Sequence, residues 1–308
     1  MSDAATSHFV TAPDGLKLHV REYAPRCAGS TLPAARLPVV CLPGLARTTE
    51  DFEMLADALS ADGRRVIALD YRGRGRSDYD PDPTHYSLPV ELGDVIATIG
   101  VLRCEPAVFV GTSRGGILTM LLASLRPAAI AGAVLNDIGP VLEPEGLVRI
   151  KGYVGKLPRP ASYDDAAAIL RRLFGTQFPR LTHDDWLKSA RRTFKDRDGV
   201  LVPDYDVALA KAFEDFDPAK PIPDLWPQFD VLGPVPVMVI RGGNSDLLSA
   251  ATVEAMRSRH PGLESLTVPD QGHAPLLTEA DVITAIGNFI ERCDGGYADG
   301  GPQHAPSS

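Results

Sequence analysis

Apolar and polar positions along the chain fall into two alternating kinds of run. Leu37–Leu42 (LPVVCL), Arg65–Leu69 (RVIAL), Ala107–Val110 (AVFV) and Ala131–Leu135 (AGAVL) are short and almost wholly apolar. Strands buried on both faces of a parallel sheet have this character. Between them lie longer stretches with helical spacing: Glu50–Ser60 sets Phe52, Leu55 and Leu59 on one face, and Val90–Arg103 and Arg114–Leu125 follow. Ahead of these, Val10–Tyr23 reads as two strands around the turn Pro13-Asp14-Gly15. The alternation predicts an α/β fold with a mostly parallel central sheet and helices on both faces.

The alternation stops at about residue 141. Up to residue 230 the pattern predicts helices over Glu145–Lys156, Tyr163–Phe174, Asp184–Phe194 and Tyr205–Phe216, with no strand. The sheet pattern returns at Val235–Ile240, continues near Glu264–Val268, and ends in a helix over Thr278–Arg292. The expected organisation is a core of residues 1–140 and 231–293, a helical cap over 141–230, and a disordered tail over 294–308.

Composition narrows the function classes. The 308 residues carry 31 basic and 40 acidic side chains, net −9. That balance argues against a nucleic-acid partner, whose phosphates call for a cationic footprint. The N-terminus lacks the cationic and apolar regions of a secretory signal. Gly115–Leu135 is long enough to span a bilayer but contains Arg126-Pro127, so it reads as core rather than a membrane span. Cys27, Cys41, Cys104 and Cys293 form no C-x-x-C pair, which fits neither a zinc site nor a disulfide framework. A cytoplasmic protein with no metal or organic cofactor is expected.

Gly111-Thr112-Ser113-Arg114-Gly115 matches G-x-S-x-G where an apolar strand meets a helix. A serine projected from a tight strand-to-helix turn is a nucleophile candidate, provided that a base is near. Of seven histidines, His273 lies in the loop between the last strand and the last helix, where open parallel sheets place their sites. The base needs a carboxylate to fix its tautomer. Asp246, after strand Val235–Ile240, is favoured, and Asp137, at the end of strand Ala131–Leu135, competes with it.

With these residues the sequence resembles the α/β-hydrolase superfamily. The order Ser113, Asp246, His273 matches that family, and Asp70-Tyr71-Arg72-Gly73-Arg74-Gly75-Arg76-Ser77 looks like its D-x-R-G-x-G-x-S stretch, read as a structural corner. The resemblance implies a lid after the sixth strand and an oxyanion hole made by the backbone N–H groups of Leu45 and Arg114. Pro43 stands where many relatives have histidine.

The resulting expectation is a serine hydrolase acting on a small or medium, largely apolar ester, lactone or thioester. Serine at 113 disfavours the branches that attack with aspartate. C–C bond hydrolysis, a cofactor-free oxygenase or lyase reaction, and a ligand receptor on the same scaffold are the alternatives. Arg47 and Arg114 are read either as ligands of a substrate carboxylate or as structural ion-pair partners. Residues 141–230 hold more than half of the aromatics, including both tryptophans. Phe174, Phe178, Phe194 and Phe216 join them in an expected apolar roof, and Trp186, Phe213 and Trp226 are the expected substrate contacts beside Arg47.

Overall fold

The computed structural model describes residues 5–26, 36–214 and 216–300. In chain order its strands are β1 (Ala5–Thr11), β2 (Lys17–Tyr23), β3 (Val39–Leu42), β4 (Val66–Leu69), β5 (Ala107–Thr112), β6 (Ile130–Asn136), β7 (Phe194–Arg197), β8 (Val200–Pro203), β9 (Val237–Gly242) and β10 (Glu264–Val268). The α-helices are α1 (Glu53–Ala61), α2 (Leu88–Leu102), α3 (Arg114–Leu125), α4 (Pro144–Tyr153), α5 (Tyr163–Phe174), α6 (His183–Thr193), α7 (Trp226–Asp230), α8 (Ala250–Arg259) and α9 (Ala280–Gly300). Eight strands form one sheet in the order β1-β2-β4-β3-β5-β6-β9-β10. β1 pairs with β2 and β2 with β4 antiparallel, while β4, β3, β5, β6, β9 and β10 run parallel to one another.

The apolar runs bury alternate side chains on opposite faces. On β3, Val40 and Leu42 join the core under α2 and α3, with Leu92, Val95 and Leu118. Val39 and Cys41 join the core under α1 and α9, with Leu55, Leu59 and Phe289. This period of two explains why a wholly apolar strand is required: neither face meets water.

The stretch Asp70–Ser77 is a buried corner. Arg72 is 1% exposed and its guanidinium meets Asp94 at 2.7 Å, Asp80 at 2.6 Å and Asp14 at 2.8 Å. Removing Arg72 costs about 3–5 kcal/mol, because buried Asp80 and Asp94 are left without their cation out of water. Asp70 holds His19 at 2.7 Å and accepts the Thr49 N–H at 2.7 Å, while Arg74 Nε donates to the Leu45 carbonyl at 2.8 Å. The corner thereby fixes the loop after β3.

Between β6 and β9 the chain departs from the all-helical expectation. β7 and β8 form an antiparallel hairpin through Asp198 and Gly199, at φ 55° and 82°. Consecutive positive φ values suit a two-residue hairpin turn, and Asp-Gly is the sequence that tolerates them. The expected helix over Tyr205–Phe216 is a short 3-10 helix, Val207–Phe213. The inserted segment has its own core of Leu170, Phe178, Trp186, Ala190, Phe194 and Leu201. The expected tail is also corrected: α9 runs on to Gly300, and Asp294 binds buried Arg64 at 2.8 Å. Residues 301–308 and Cys27 lie outside the described residues, in which Cys41, Cys104 and Cys293 are buried free thiols. No helix among the described residues is long and apolar enough to cross a membrane.

Asp204, just after β8, is 7% exposed, and burial lifts its carboxyl to about 6. The unfolded chain titrates near 3.9, so between about pH 4 and 6 the folded protein binds more protons than the unfolded one. Stability attributable to this group therefore falls as pH rises through that window. Asp204→Asn should gain about 1–2 kcal/mol at pH 7.5, with the difference vanishing towards pH 4. Urea unfolding of both proteins at the two pH values checks this.

Candidate active site

The nucleophile candidate sits on a turn that few sequences can make. Ser113, between β5 and α3, has φ 51° and ψ −111°. Such a conformation costs on the order of 1–3 kcal/mol in a residue with a side chain and survives only where the surroundings enforce it. Here they do so by close approach. A Cβ on Gly115 would lie 2.0 Å from the Leu42 carbonyl oxygen, and one on Gly111 would lie 2.5 Å from the Gly115 backbone. Only glycine fits these positions. The Ser113 N–H donates to the Asn136 carbonyl at 3.0 Å, tying the turn to β6.

A chain of hydrogen bonds leads away from the serine. Its Oγ is 2.9 Å from His273 Nε2, and His273 Nδ1 is 2.8 Å from Asp137 Oδ2. Asp137 is fully buried, follows β6 and has φ 54°. Its carboxylate also accepts the Gly242 N–H at 2.7 Å and the Ser245 hydroxyl at 2.6 Å. These donors fix its plane and stabilise its negative charge, which favours the tautomer with the proton on Nδ1 and leaves Nε2 free to accept from the serine.

The expectation that Asp246 holds His273 is therefore corrected. Asp246 points toward α4, where Arg149 meets it bidentately at 2.6 and 2.8 Å. Burial alone would raise its pKa, but the Arg149 pair outweighs that and holds the carboxyl below its usual range. One residue earlier, Ser245 serves Asp137 instead. The sequence signal for Asp137 was its place at the carboxyl edge of the strand beside β5. What decides between the acids is an arginine distant in sequence.

The remaining expected residues divide. Ser113, His273, Leu45, Arg47 and Trp186 line one cavity, walled by Leu157, Leu170, Phe174, Phe178 and Leu276. Leu45 is a cavity residue and Arg114 follows Ser113 as the first residue of α3, and among the described residues neither backbone N–H donates a hydrogen bond. The Arg114 side chain turns away to Glu91, which is fully buried and also meets Arg74 at 2.7 Å. Burial would raise the Glu91 pKa, but Arg114 and Arg74 lower it further than that. Phe213 and Trp226 are not cavity residues. Both pack against the main core, Trp226 lying edge-on to Phe229 with Arg259 4.2 Å from its ring. Phe174 and Phe178 take their expected places in the apolar roof, whereas Arg192, Asp51 and Tyr153 line the cavity without a signal in the sequence.

The sheet, the serine turn and the histidine loop together define a hydrolase of the α/β type, and the chain belongs to the alpha/beta hydrolase family, whose model matches residues 39–286. It is 34% identical to the 3-hydroxybutyrate-oligomer hydrolase of Cupriavidus necator over 84% of this chain and 89% of that one. The 2-(acetamidomethylene)succinate hydrolase of Mesorhizobium japonicum is 29% identical over 94% of this chain and 98% of its own length. The crystal structure of an alpha/beta hydrolase from Novosphingobium aromaticivorans superposes with a TM-score of 0.87 at 43% identity, covering 95% of this chain and 100% of that one.

The two acids make opposite predictions. Asp137→Asn should lower kcat on an activated ester on the order of 10³–10⁴-fold, by comparison with triad aspartates elsewhere, whereas Asp246→Asn should lower it less than about tenfold. Steady-state kinetics of the two variants checks the assignment, and the reverse order would restore Asp246.

Proposed function

We propose that this protein is a serine carboxylic ester hydrolase that works through an acyl-enzyme. The observation that carries the reading is the unbroken hydrogen-bond path from Ser113 through His273 to Asp137, opening on a mainly apolar cavity. His273 Nε2 takes the hydroxyl proton as Ser113 Oγ attacks the ester carbonyl carbon. The negative charge that gathers on the carbonyl oxygen is met by the Leu45 and Arg114 N–H groups, the latter at the N-terminus of α3, where the helix dipole adds to it. Collapse of the tetrahedral intermediate breaks the ester C–O bond. His273 returns its proton to the departing alcohol, leaving the acyl group on Ser113. Water then adds to the acyl-enzyme with His273 as base, and the acid product leaves with the serine restored. Asp137 keeps the imidazole oriented throughout and stabilises its protonated form.

The segment between β6 and β9 acts in this reading as a cap. Trp186, Phe174 and Phe178 cover the cavity, exclude water and favour a compact apolar acyl or alcohol group. The relative from Cupriavidus necator is a hydrolase of 3-hydroxybutyrate oligomers, which are esters, and it supports an ester of that size.

Labelling by a fluorophosphonate probe tests the chemistry. Wild-type protein should label covalently, Ser113→Ala should not label, and His273→Ala should label at least about 100-fold more slowly, since general-base assistance is worth 10²–10⁴-fold. Labelling of Ser113→Ala equal to that of wild type would remove the nucleophile from this account.

A further inference from the structure

The mainly apolar cavity contains one group of charges that the proposed reaction does not use. Arg47, from the loop after β3, and Arg192, near the end of α6, both approach Asp51. Arg47 holds it closely, Nε to Oδ2 at 2.7 Å and Nη2 to Oδ1 at 2.5 Å, and donates from Nη1 to Thr193 Oγ1 at 2.8 Å. Arg192 is left over: its Nε is 3.8 Å from Asp51 Oδ1 and has no hydrogen-bond partner. The neighbouring Lys195 and Glu50 neutralise one another at 2.7 Å. Two guanidiniums therefore share one carboxylate on the cavity wall, leaving one positive charge without an anion.

A desolvated cation without its own anion is unfavourable, and a ligand carboxylate supplies what is missing. The pKa of Arg192 reflects this: burial and the adjacent Arg47 lower it, against the pull of Asp51. The other arginines near the site are differently placed. Arg149 has a carboxylate of its own in Asp246, Arg114 and Arg74 are directed at Glu91 and backbone carbonyls, and none of the three lines the cavity. The subsite is also close to the reacting atoms. A Cβ on Gly44 would lie 3.3 Å from Arg47 Cγ and 4.0 Å from Ser113 Cβ, so the arginine stem and the nucleophile both approach the same glycine.

We propose that Arg192 and Arg47 form a carboxylate-binding subsite of the Ser113 cavity, and that the substrate is a short ester ending in a free carboxylate. This deepens the ester-hydrolase reading and rests on it. Both arginines line the cavity that holds Ser113, so a short substrate reaches the charged wall and the nucleophile together. The apolar wall under α5 and α6 receives the other end. Arg192 forms the new hydrogen-bonded ion pair, while Arg47 stays on Asp51 and adds its field.

Binding to Ser113→Ala protein tests the subsite apart from the chemistry, because no turnover is needed. The probes are the linear dimer of 3-hydroxybutyrate as the free acid and as its methyl ester, measured by calorimetry at pH 7. The acid should bind at least about tenfold more tightly than the methyl ester, as a charge-assisted hydrogen bond provides. In the same background Arg192→Gln should bring that ratio close to one, and Asp51→Asn, which removes the competing carboxylate, should raise it. Lys188→Gln, on an exposed position of α6, serves as the control and should keep the ratio. Opposite changes in Arg192→Gln and Asp51→Asn separate a charge effect from a folding defect. Equal affinity for acid and ester, binding of neither, or a preference that survives Arg192→Gln would overturn the proposal. A failure of fluorophosphonate labelling with this preference intact would instead count against the ester chemistry.

Discussion

The site depends on the backbone of one residue. At Ser113 the chain passes from the end of β5 into α3 through a conformation that side-chain-bearing residues rarely adopt. It is maintained because Gly111, Gly115 and the Leu42 carbonyl pack at distances that allow no Cβ. Relaxing the turn would break the contact of α3 with β3 and withdraw the serine from His273 together. The local strain is thus offset by packing over the parallel sheet, whose strands are apolar on both faces because both are covered.

From that turn the rest of the geometry follows outward. β6 lies beside β5, so its carboxyl end delivers Asn136 and Asp137 next to the serine. β9 lies beside β6 and offers the Gly242 N–H and the Ser245 hydroxyl to the Asp137 carboxylate. The loop after β10 carries His273 back over both. On the other side, the Asp70–Ser77 corner fixes the loop that presents Leu45 and Arg47, through the Thr49 N–H and the Leu45 carbonyl. The buried arginines 72 and 74 are accordingly structural, though they stand close to the chemistry.

Much of this was legible in the sequence wherever the signal was local. An apolar run of strand length followed by G-x-S-x-G states both its own burial and its sharp turn, and His273 follows from its place after the last strand. The acid was less legible because two aspartates stand at the carboxyl ends of adjacent strands. Arg149 takes one of them, and its 97-residue separation from Asp246 hides the pairing from any window along the chain. Phe213 and Trp226 were misplaced for a related reason: aromatic content marks a helical layer but not which way each ring faces. The β7–β8 hairpin did leave a local trace in Asp198-Gly199, masked by helical spacing on either side.

The central claim is that Asp137 orients the imidazole that activates Ser113. Proton NMR of the His273 Nδ1–H reports that contact directly, since a proton held between imidazole and carboxylate is strongly deshielded. The account predicts a far-downfield resonance in wild type that persists in Asp246→Asn and disappears in Asp137→Asn. A resonance that survives Asp137→Asn and is lost in Asp246→Asn would contradict it.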